Sequence, residues 1–257
     1  MGFGDEGQLG LRNIFDEFNK KKYCSKPTNI LNSIKLISSG YNYSFAISYN
    51  RDIFCWGKND KGQLGLNVCE DTKGGEMCNI IIPEKLRDYL DDIEIKNIIC
   101  GKNFTFFQTK NNELLGCGSN DKEQLGIQTN KFISEKNTAA MSNYYIIPTE
   151  IEQFAFLKIL KISCGEEHSL AIIKDNTCDI INIWCWGSNH YGQLGLGSHI
   201  IISKPKPIHY LLEFINHIPL DISTGKNHSV ILLQRKDYNE LNSDETLSEL
   251  IYKYSKI

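Results

Sequence analysis

The string Gly7-Gln8-Leu9-Gly10 returns along the chain as Gly62-Gln63-Leu64-Gly65, as Glu123-Gln124-Leu125-Gly126 and as Gly192-Gln193-Leu194-Gly195. The intervals are about 55, 61 and 69 residues, regular enough to mark one duplicated unit and elastic enough for loop insertions. A second block precedes three of the strings: Cys55-Trp56-Gly57-Lys58-Asn59, Gly116-Cys117-Gly118-Ser119-Asn120 and Cys185-Trp186-Gly187-Ser188-Asn189. A third occurs four times, beginning at Gly40, Gly101, Gly165 and Gly225 and reading Gly-x-x-aromatic or His-Ser/Thr. The order of blocks is the same in every copy.

Each block has a physical reading. The short apolar runs after the third block, such as Phe45-Ala46-Ile47 and Leu170-Ala171-Ile172-Ile173, are β-prone. A polar turn then leads to a second apolar run ending at Trp-Gly, which makes a hairpin. Pro27, Pro83, Pro148 and Pro205 with Pro207 open a further strand, and the segments 34–39, 95–100, 159–164 and 220–224 return to the next Gly. Four short strands per unit is the arithmetic of a propeller blade. Asn59, Asn120 and Asn189 share one turn position with Gly4. Asn and Gly tolerate positive φ best, so a left-handed backbone is expected there.

On these motifs the sequence resembles the regulator of chromosome condensation repeat family, whose unit runs Gly-x-x-His-Ser/Thr, an apolar strand, Trp-Gly-x-Asn, then Gly-Gln-Leu-Gly. The resemblance covers residues 2–233. Residues 165–195 match best, and 101–126 depart most, with Cys117 for Trp, Glu123 for Gly and Phe104 for His. Trp-Asp repeats have a shorter period, and kelch repeats need a double Gly missing at the matching places. The implied fold is an all-β β-propeller of about four blades, three whole and one split between the N- and C-termini. The units are 1–39 (partial), 40–100, 101–164, 165–224 and 225–233 (partial). Family members usually close seven blades, so the expected architecture is either a small closed ring or an open partial propeller; unremarkable blade sequences favour the open form. In the tail, 234–257, Asn242 with Glu245 suggests a capping box, and Leu247, Leu250, Ile251 and Tyr254 share a helical face, so a short amphipathic helix is expected.

The structural motif residues are Gly40, Gly101, Gly165 and Gly225; Trp56 and Trp186; Gly57, Gly118 and Gly187; Asn59, Asn120 and Asn189; and Gly62, Gly65, Gly126, Gly192 and Gly195. They absorb several signals that look catalytic. Gly2-x-Gly4-x-x-Gly7 satisfies a dinucleotide fingerprint, but no strand precedes it and its glycines align with turn positions of other copies. His168 and His228 sit where Tyr43 and Phe104 also occur, and Phe cannot act as a base. The chain has 9 Cys and no Cys-x-x-Cys pair; most occupy repeat positions and read as small core residues of a reducing compartment. Cys69 and Cys78 share a loop and are the weak exception. Sequons at Asn42, Asn103 and Asn227 coincide with the third block, which argues against their use.

Net charge is -3, with 28 Lys+Arg against 31 Asp+Glu, and no basic stripe is present, so DNA or chromatin binding is not expected. No apolar run approaches the roughly 18–20 residues needed to cross a bilayer, and no membrane or secretory role is expected; nucleus and cytoplasm stay open. No catalytic, cofactor-binding or metal-ligating residues are expected. Function should lie on a surface of variable turns, Asp5-Glu6, Asp60-Lys61, Asp121-Lys122 and His190-Tyr191, with Phe132, Tyr144 and Tyr145 as loop anchors. The reading is a non-enzymatic protein-interaction module. The resemblance alone adds an alternative, guanine-nucleotide exchange on a Ran-like small GTPase.

Overall fold

The computed structural model describes residues 1–11, 23–66, 79–86, 90, 92–127, 140–141, 143–154, 157–177, 180–208 and 217–235 of the chain. The strands are β1 (Gly2–Phe3), β2 (Tyr23–Cys24), β3 (Ile34–Ser39), β4 (Tyr43–Ser48), β5 (Ile53–Gly57), β6 (Ile80–Lys85), β7 (Ile95–Cys100), β8 (Phe104–Thr109), β9 (Leu114–Ser119), β10 (Ala140–Met141), β11 (Tyr144–Glu150), β12 (Leu157–Cys164), β13 (His168–Asp175), β14 (Ile181–Gly187), β15 (Ile202–Pro207), β16 (His217–Thr224) and β17 (Ser229–Arg235). One 3-10 turn, Glu152–Phe154, follows β11. Among the described residues no helix is long and apolar enough to cross a membrane. The expected tail helix and Phe132, Cys69 and Cys78 lie outside the described residues.

The chain divides into two compact units, residues 1–121 with 127–152, and residues 122–126 with 153–257. The first holds the ribbon β1-β2, the sheet β3-β4-β5-β6 and the sheet β7-β8-β9-β11 with β10 on its edge; the second holds β12-β13-β14-β15 and the ribbon β16-β17. Every pairing is antiparallel. The expected four-stranded blade is therefore present, an all-β meander whose first strand lies ahead of the third block's Gly.

Burial follows from these sheets being covered on both faces. The inner strands β4, β8 and β13 are buried along almost their whole length rather than at alternate residues, as strands enclosed on both sides are. In the first unit Tyr43, Phe45, Ile47, Cys55, Ile98, Phe107 and Cys117 form one core between the two sheets. In the second, Leu170, Ile172, Ile183 and Cys185 pack with Ile222, and Ile231 and Leu233 lie against them.

The third block's Gly has a steric cause, not a conformational one. A Cβ on Gly40, Gly101, Gly165 or Gly225 would stand 2.1, 2.0, 2.2 or 2.1 Å from the ring of Tyr43, Phe104, His168 or His228. The ring three residues on lies flat over the Gly, so Gly and ring are needed together.

Candidate functional site

The Gly-Gln-Leu-Gly turn is held by its own atoms. The Gln side-chain oxygen accepts from the backbone N two residues earlier: Glu6 to Gln8 (3.0 Å), Lys61 to Gln63 (2.9 Å), Lys122 to Gln124 (2.8 Å) and Tyr191 to Gln193 (3.0 Å). The Gln main-chain oxygen, facing the other way, accepts from the following sheet. Gln8 takes Ser44 Oγ (3.4 Å) and Trp56 Nε1 (2.9 Å); Gln124 takes Ser169 Oγ (3.0 Å) and Trp186 Nε1 (2.8 Å). Gln63 takes Thr105 Oγ1 (2.7 Å) and Cys117 Sγ (3.5 Å), and Gln193 takes Ser229 Oγ (2.8 Å). One carbonyl thus staples each turn to the next sheet. Each such bond contributes about 1 kcal/mol, more if its loss strands a buried partner.

The expected left-handed backbone at Asn59, Asn120, Asn189 and Gly4 is not found. Positive φ belongs instead to the Gly after the Trp position (Gly57 103°, Gly118 100°, Gly187 98°) and to both glycines of the turn, Gly62 at 73° and Gly65 at 70° in one copy. The Asn is there for its side chain. Buried Asn59 Oδ1 accepts from Leu64 N at 3.0 Å, and Asn189 Oδ1 from Leu194 N at 3.0 Å, while Asn120 Nδ2 donates to Ile127 O at 3.4 Å. Gly2 and Gly7 repeat the conformations of Gly57 and Gly62, with φ of 123° and 84°, so the fingerprint glycines serve the same turn.

Where Glu123 replaces the first Gly of the turn, the backbone still adopts φ 61°. A left-handed L-residue costs roughly 1–2 kcal/mol, part of which returns through the lower unfolded-chain entropy of a non-Gly residue. Burial also raises the Glu123 carboxyl above its ordinary value. Glu123→Gly is accordingly expected to stabilise the protein by about 1 kcal/mol, read as a higher denaturant midpoint at unchanged m-value. An unchanged or lower midpoint would show that the turn carries no strain.

With Asn, Gln and Gly committed inward, the two residues between them are left to vary. Asp5, Asp60, Asp121, His190 and Tyr191 are exposed, and Glu6, Lys61 and Lys122 are half-buried. In the first unit they are tied to neighbours. Asn79 Nδ2 donates to Glu6, Lys58 pairs with Asp60 at 3.2 Å, Ser119 Oγ donates to Asp121 at 3.3 Å, and Lys61 Nζ lies 4.8 Å from the centre of the Tyr144 ring. Tyr144 thus joins the turn residues. Tyr145 does not: strand alternation turns it inward, where it is buried, so it is a core residue rather than an anchor.

In the second unit His199 Nδ1 lies 3.1 Å from His190 O, which closes residues 190–199 into one loop; Tyr191 within it and Ile200 directly after it are each 71% exposed. Ile200 was not among the expected residues, although the apolar triplet 200–202 directly after Gly-Ser-His marks it. Among the described residues no group of three or more His, Cys, Asp or Glu could hold a metal ion. Burial pushes the thiols of Cys55, Cys100 and Cys185 up, to about 12 for the last two, and raises Cys117 as well, so none offers a thiolate for chemistry.

The family model for the regulator of chromosome condensation (RCC1) repeat matches residues 52–108, 111–172 and 182–232, and a second model of the same repeat matches 34–63 and 159–193. The chain belongs to the RCC1 repeat family. Each of the three long matches spans the last two strands of one sheet and the first two of the next, so the covalent RCC1 repeat and the sheet are out of phase and successive repeats interlock. The sequence is 30% identical over 231 residues to a human protein named probable E3 ubiquitin-protein ligase HERC6, covering 89% of this chain and 20% of that one. It is 26% identical over 198 residues to the guanine nucleotide exchange factor SRM1 of Saccharomyces cerevisiae, covering 76% and 38%. The chain spans well under two thirds of either relative. The crystal structure of Prp20p from S. cerevisiae, a protein with binding properties towards Gsp1p and histones, resembles this RCC1-repeat chain with a TM-score of 0.73 at 22% identity, over 99% of this chain and 54% of that one. The fold is that of the RCC1 β-propeller.

Proposed function

We propose that this RCC1-repeat chain is a non-enzymatic interaction module that presents its variable turns to a protein partner. One observation carries the reading: in each turn the Gln and its repeated neighbours are consumed by internal hydrogen bonds, while the pair between them is at least partly accessible and reads Asp-Glu, Asp-Lys, Asp-Lys and His-Tyr along the chain. Rigid turns with exchangeable tips suit recognition, because little side-chain entropy is lost when a preorganised surface binds. Tyr191 with Ile200 supplies the kind of exposed aromatic and aliphatic anchor that dominates binding energy at interfaces. Net charge of -3 weighs against a phosphate-backbone partner and for a protein one.

The test compares proteins retained by the wild-type chain with those retained by Tyr191→Ala/Ile200→Ser, both substituted positions being exposed. At least one specifically bound protein should be lost from the variant while its melting temperature stays unchanged. An identical set from both would remove these turns from the interface. A second reading, exchange activity on a small GTPase, is favoured by the likeness to SRM1. It predicts faster release of a fluorescent guanine nucleotide from a Ran-type GTPase, and release at the intrinsic rate with micromolar chain present would eliminate it.

A further inference from the structure

Pro83, Pro148 and Pro205 hold one place in their sheets. Each stands against the last Gly of a turn, where a Cβ on Gly10, Gly65 or Gly126 would come within 3.2, 3.1 or 2.8 Å of the proline ring. Counting from that proline aligns the outer strands. Lys204 takes the place of Ile82 and Ile147, and Lys206 that of Glu84 and Thr149. In the turn ahead of them His190 stands where the other three copies have Asp5, Asp60 and Asp121. Each exchange moves charge in the same direction. Residues 180–208 hold two Lys, two His and no Asp or Glu, in a chain whose net charge is -3.

These groups do not satisfy one another. Lys204, Lys206 and His190 are exposed, and among the described residues neither lysine has an ion-pair partner, whereas Lys58 is held by Asp60 and Lys85 by Asp52. Tyr191 and Ile200 lie at the near end of the same strand pair, since Gly187, the last residue of β14, pairs with Ile202, the first of β15. Two contacts keep that end in shape: Asn189 Nδ2 donates to Ser198 O at 2.8 Å, and His199 Nδ1 lies 3.1 Å from His190 O. At about 3.3 Å per residue, Lys204 lies roughly 7 Å and Lys206 roughly 13 Å along the strand from Ile202.

Among the described residues no strand lies beyond β15, whereas β10 pairs on the outside of β11. Pro205 and Pro207 remove two N–H groups from β15, so the edge is poorly suited to take a further strand by backbone pairing. Its side chains are what it presents.

Resting on the interaction reading above, we propose that this edge docks an acidic segment of a partner protein, Tyr191 and Ile200 receiving an apolar side chain while Lys204 and Lys206 pair with carboxylates. Two lysines are too few for a nucleic-acid backbone, whose affinity grows with each phosphate neutralised. Beside an aromatic and an aliphatic anchor they match a protein surface, and their charge selects against a basic one.

Fluorescence anisotropy on the full chain tests this with a short labelled peptide that alternates Asp-Glu pairs with Phe or Leu, a control peptide with Lys in place of each acid, and a single-stranded DNA of equal charge. The acidic peptide should bind and its basic counterpart should not. Lys204→Glu/Lys206→Glu should weaken binding about tenfold or more, by removing two attractions and adding two repulsions, while Lys204→Arg/Lys206→Arg keeps it. Tyr191→Ala/Ile200→Ser should weaken it about tenfold as well, with the salt dependence unchanged. Because the substituted positions are exposed, melting temperatures should match wild type, which separates lost contact from lost fold. Absence of binding by the acidic peptide overturns the proposal, as does equal binding of the basic peptide, tighter binding of the DNA, or an affinity that Lys204→Glu/Lys206→Glu leaves unchanged. The interaction reading survives each of those results if proteins retained by wild type are still lost from Tyr191→Ala/Ile200→Ser, so the two fail separately.

Discussion

Cys117→Trp, which restores the family's own residue, is expected to destabilise this protein, and Phe107→Ala is expected to rescue it. In two sheets the Trp before Gly lies on the same face as a small residue of the neighbouring strand. Trp186 pairs with Ser169, and Ala171 lies two residues on, so strand alternation puts Trp186, Ser169 and Ala171 on one side; Trp56, Ser44 and Ala46 repeat this. In the divergent copy the pair is exchanged: Cys117 stands for Trp, and Phe107 for Ala. Phe107 is fully buried, and its ring meets Phe45 edge-on at 5.5 Å. The phenyl ring therefore fills the room that the indole takes elsewhere, and summed volume is nearly conserved.

Each single change breaks that balance in a different direction. An indole added beside Phe107 overpacks a closed core, at a cost of about 3 kcal/mol or more. Phe107→Ala leaves a cavity costing about 3–5 kcal/mol. The double variant restores the Trp-Ala pair and returns a donor to the Gln63 carbonyl, which now has only the weak Cys117 thiol at 3.5 Å beside Thr105. Its loss should be smaller than that of either single variant, a coupling of at least about 2 kcal/mol in a double-mutant cycle by urea unfolding. Additive losses would mean that the two residues do not share the space.

The same residues show what the sequence reveals and what it hides. Repeats gave the strand count, because a duplicated unit repeats its hydrophobic runs. They carry a period but no phase, so the boundaries between sheets, which fall ahead of Gly40, Gly101 and Gly165, depend on pairing that no spacing encodes. Asn59 was read through its tolerance of positive φ, yet Asn is equally a side-chain acceptor, and composition cannot separate the two roles. The carbonyl staple is a main-chain property and so is invisible residue by residue. The Gln present in all four copies is visible, but it marks the separate side-chain bond within the turn and not the staple. Tyr144 and Tyr145 differ by one strand position, which a loop-length estimate cannot resolve. Ile37 lies in the β-prone segment 34–39, and only the structure shows that it is exposed.

The second large effect concerns acid. Burial pushes the His168 imidazole down to about 4 from an ordinary 6.5, opposed by a hydrogen bond with the His228 backbone, while the His228 side chain contributes a smaller repulsion. The folded state thus binds the proton less readily than the unfolded chain. This histidine leaves stability undiminished above pH about 6.5, where it is neutral in both states; stability then falls at up to about 1.4 kcal/mol per pH unit as the unfolded chain alone takes up the proton, and levels off once the folded state is protonated near pH 4. The total is roughly 3 kcal/mol. His168→Tyr, which installs the residue that sheet β3-β6 carries at Tyr43, should remove this loss while keeping a ring over Gly165 and a hydroxyl directed at Ser229. Depressed carboxyls such as Asp221, held down first by Lys161, also lose stabilisation in acid, but they do so in both proteins and cancel in the difference. Stability curves of wild type and His168→Tyr should therefore differ in shape between pH 6.5 and 4 and run parallel above it. Parallel curves throughout would place a water-accessible, ordinary imidazole at this position. The expected divergence also bears on function, because an imidazole enclosed under Ser229 and neutral at pH 7 has no free approach for a substrate proton. It belongs to the frame that holds the turns.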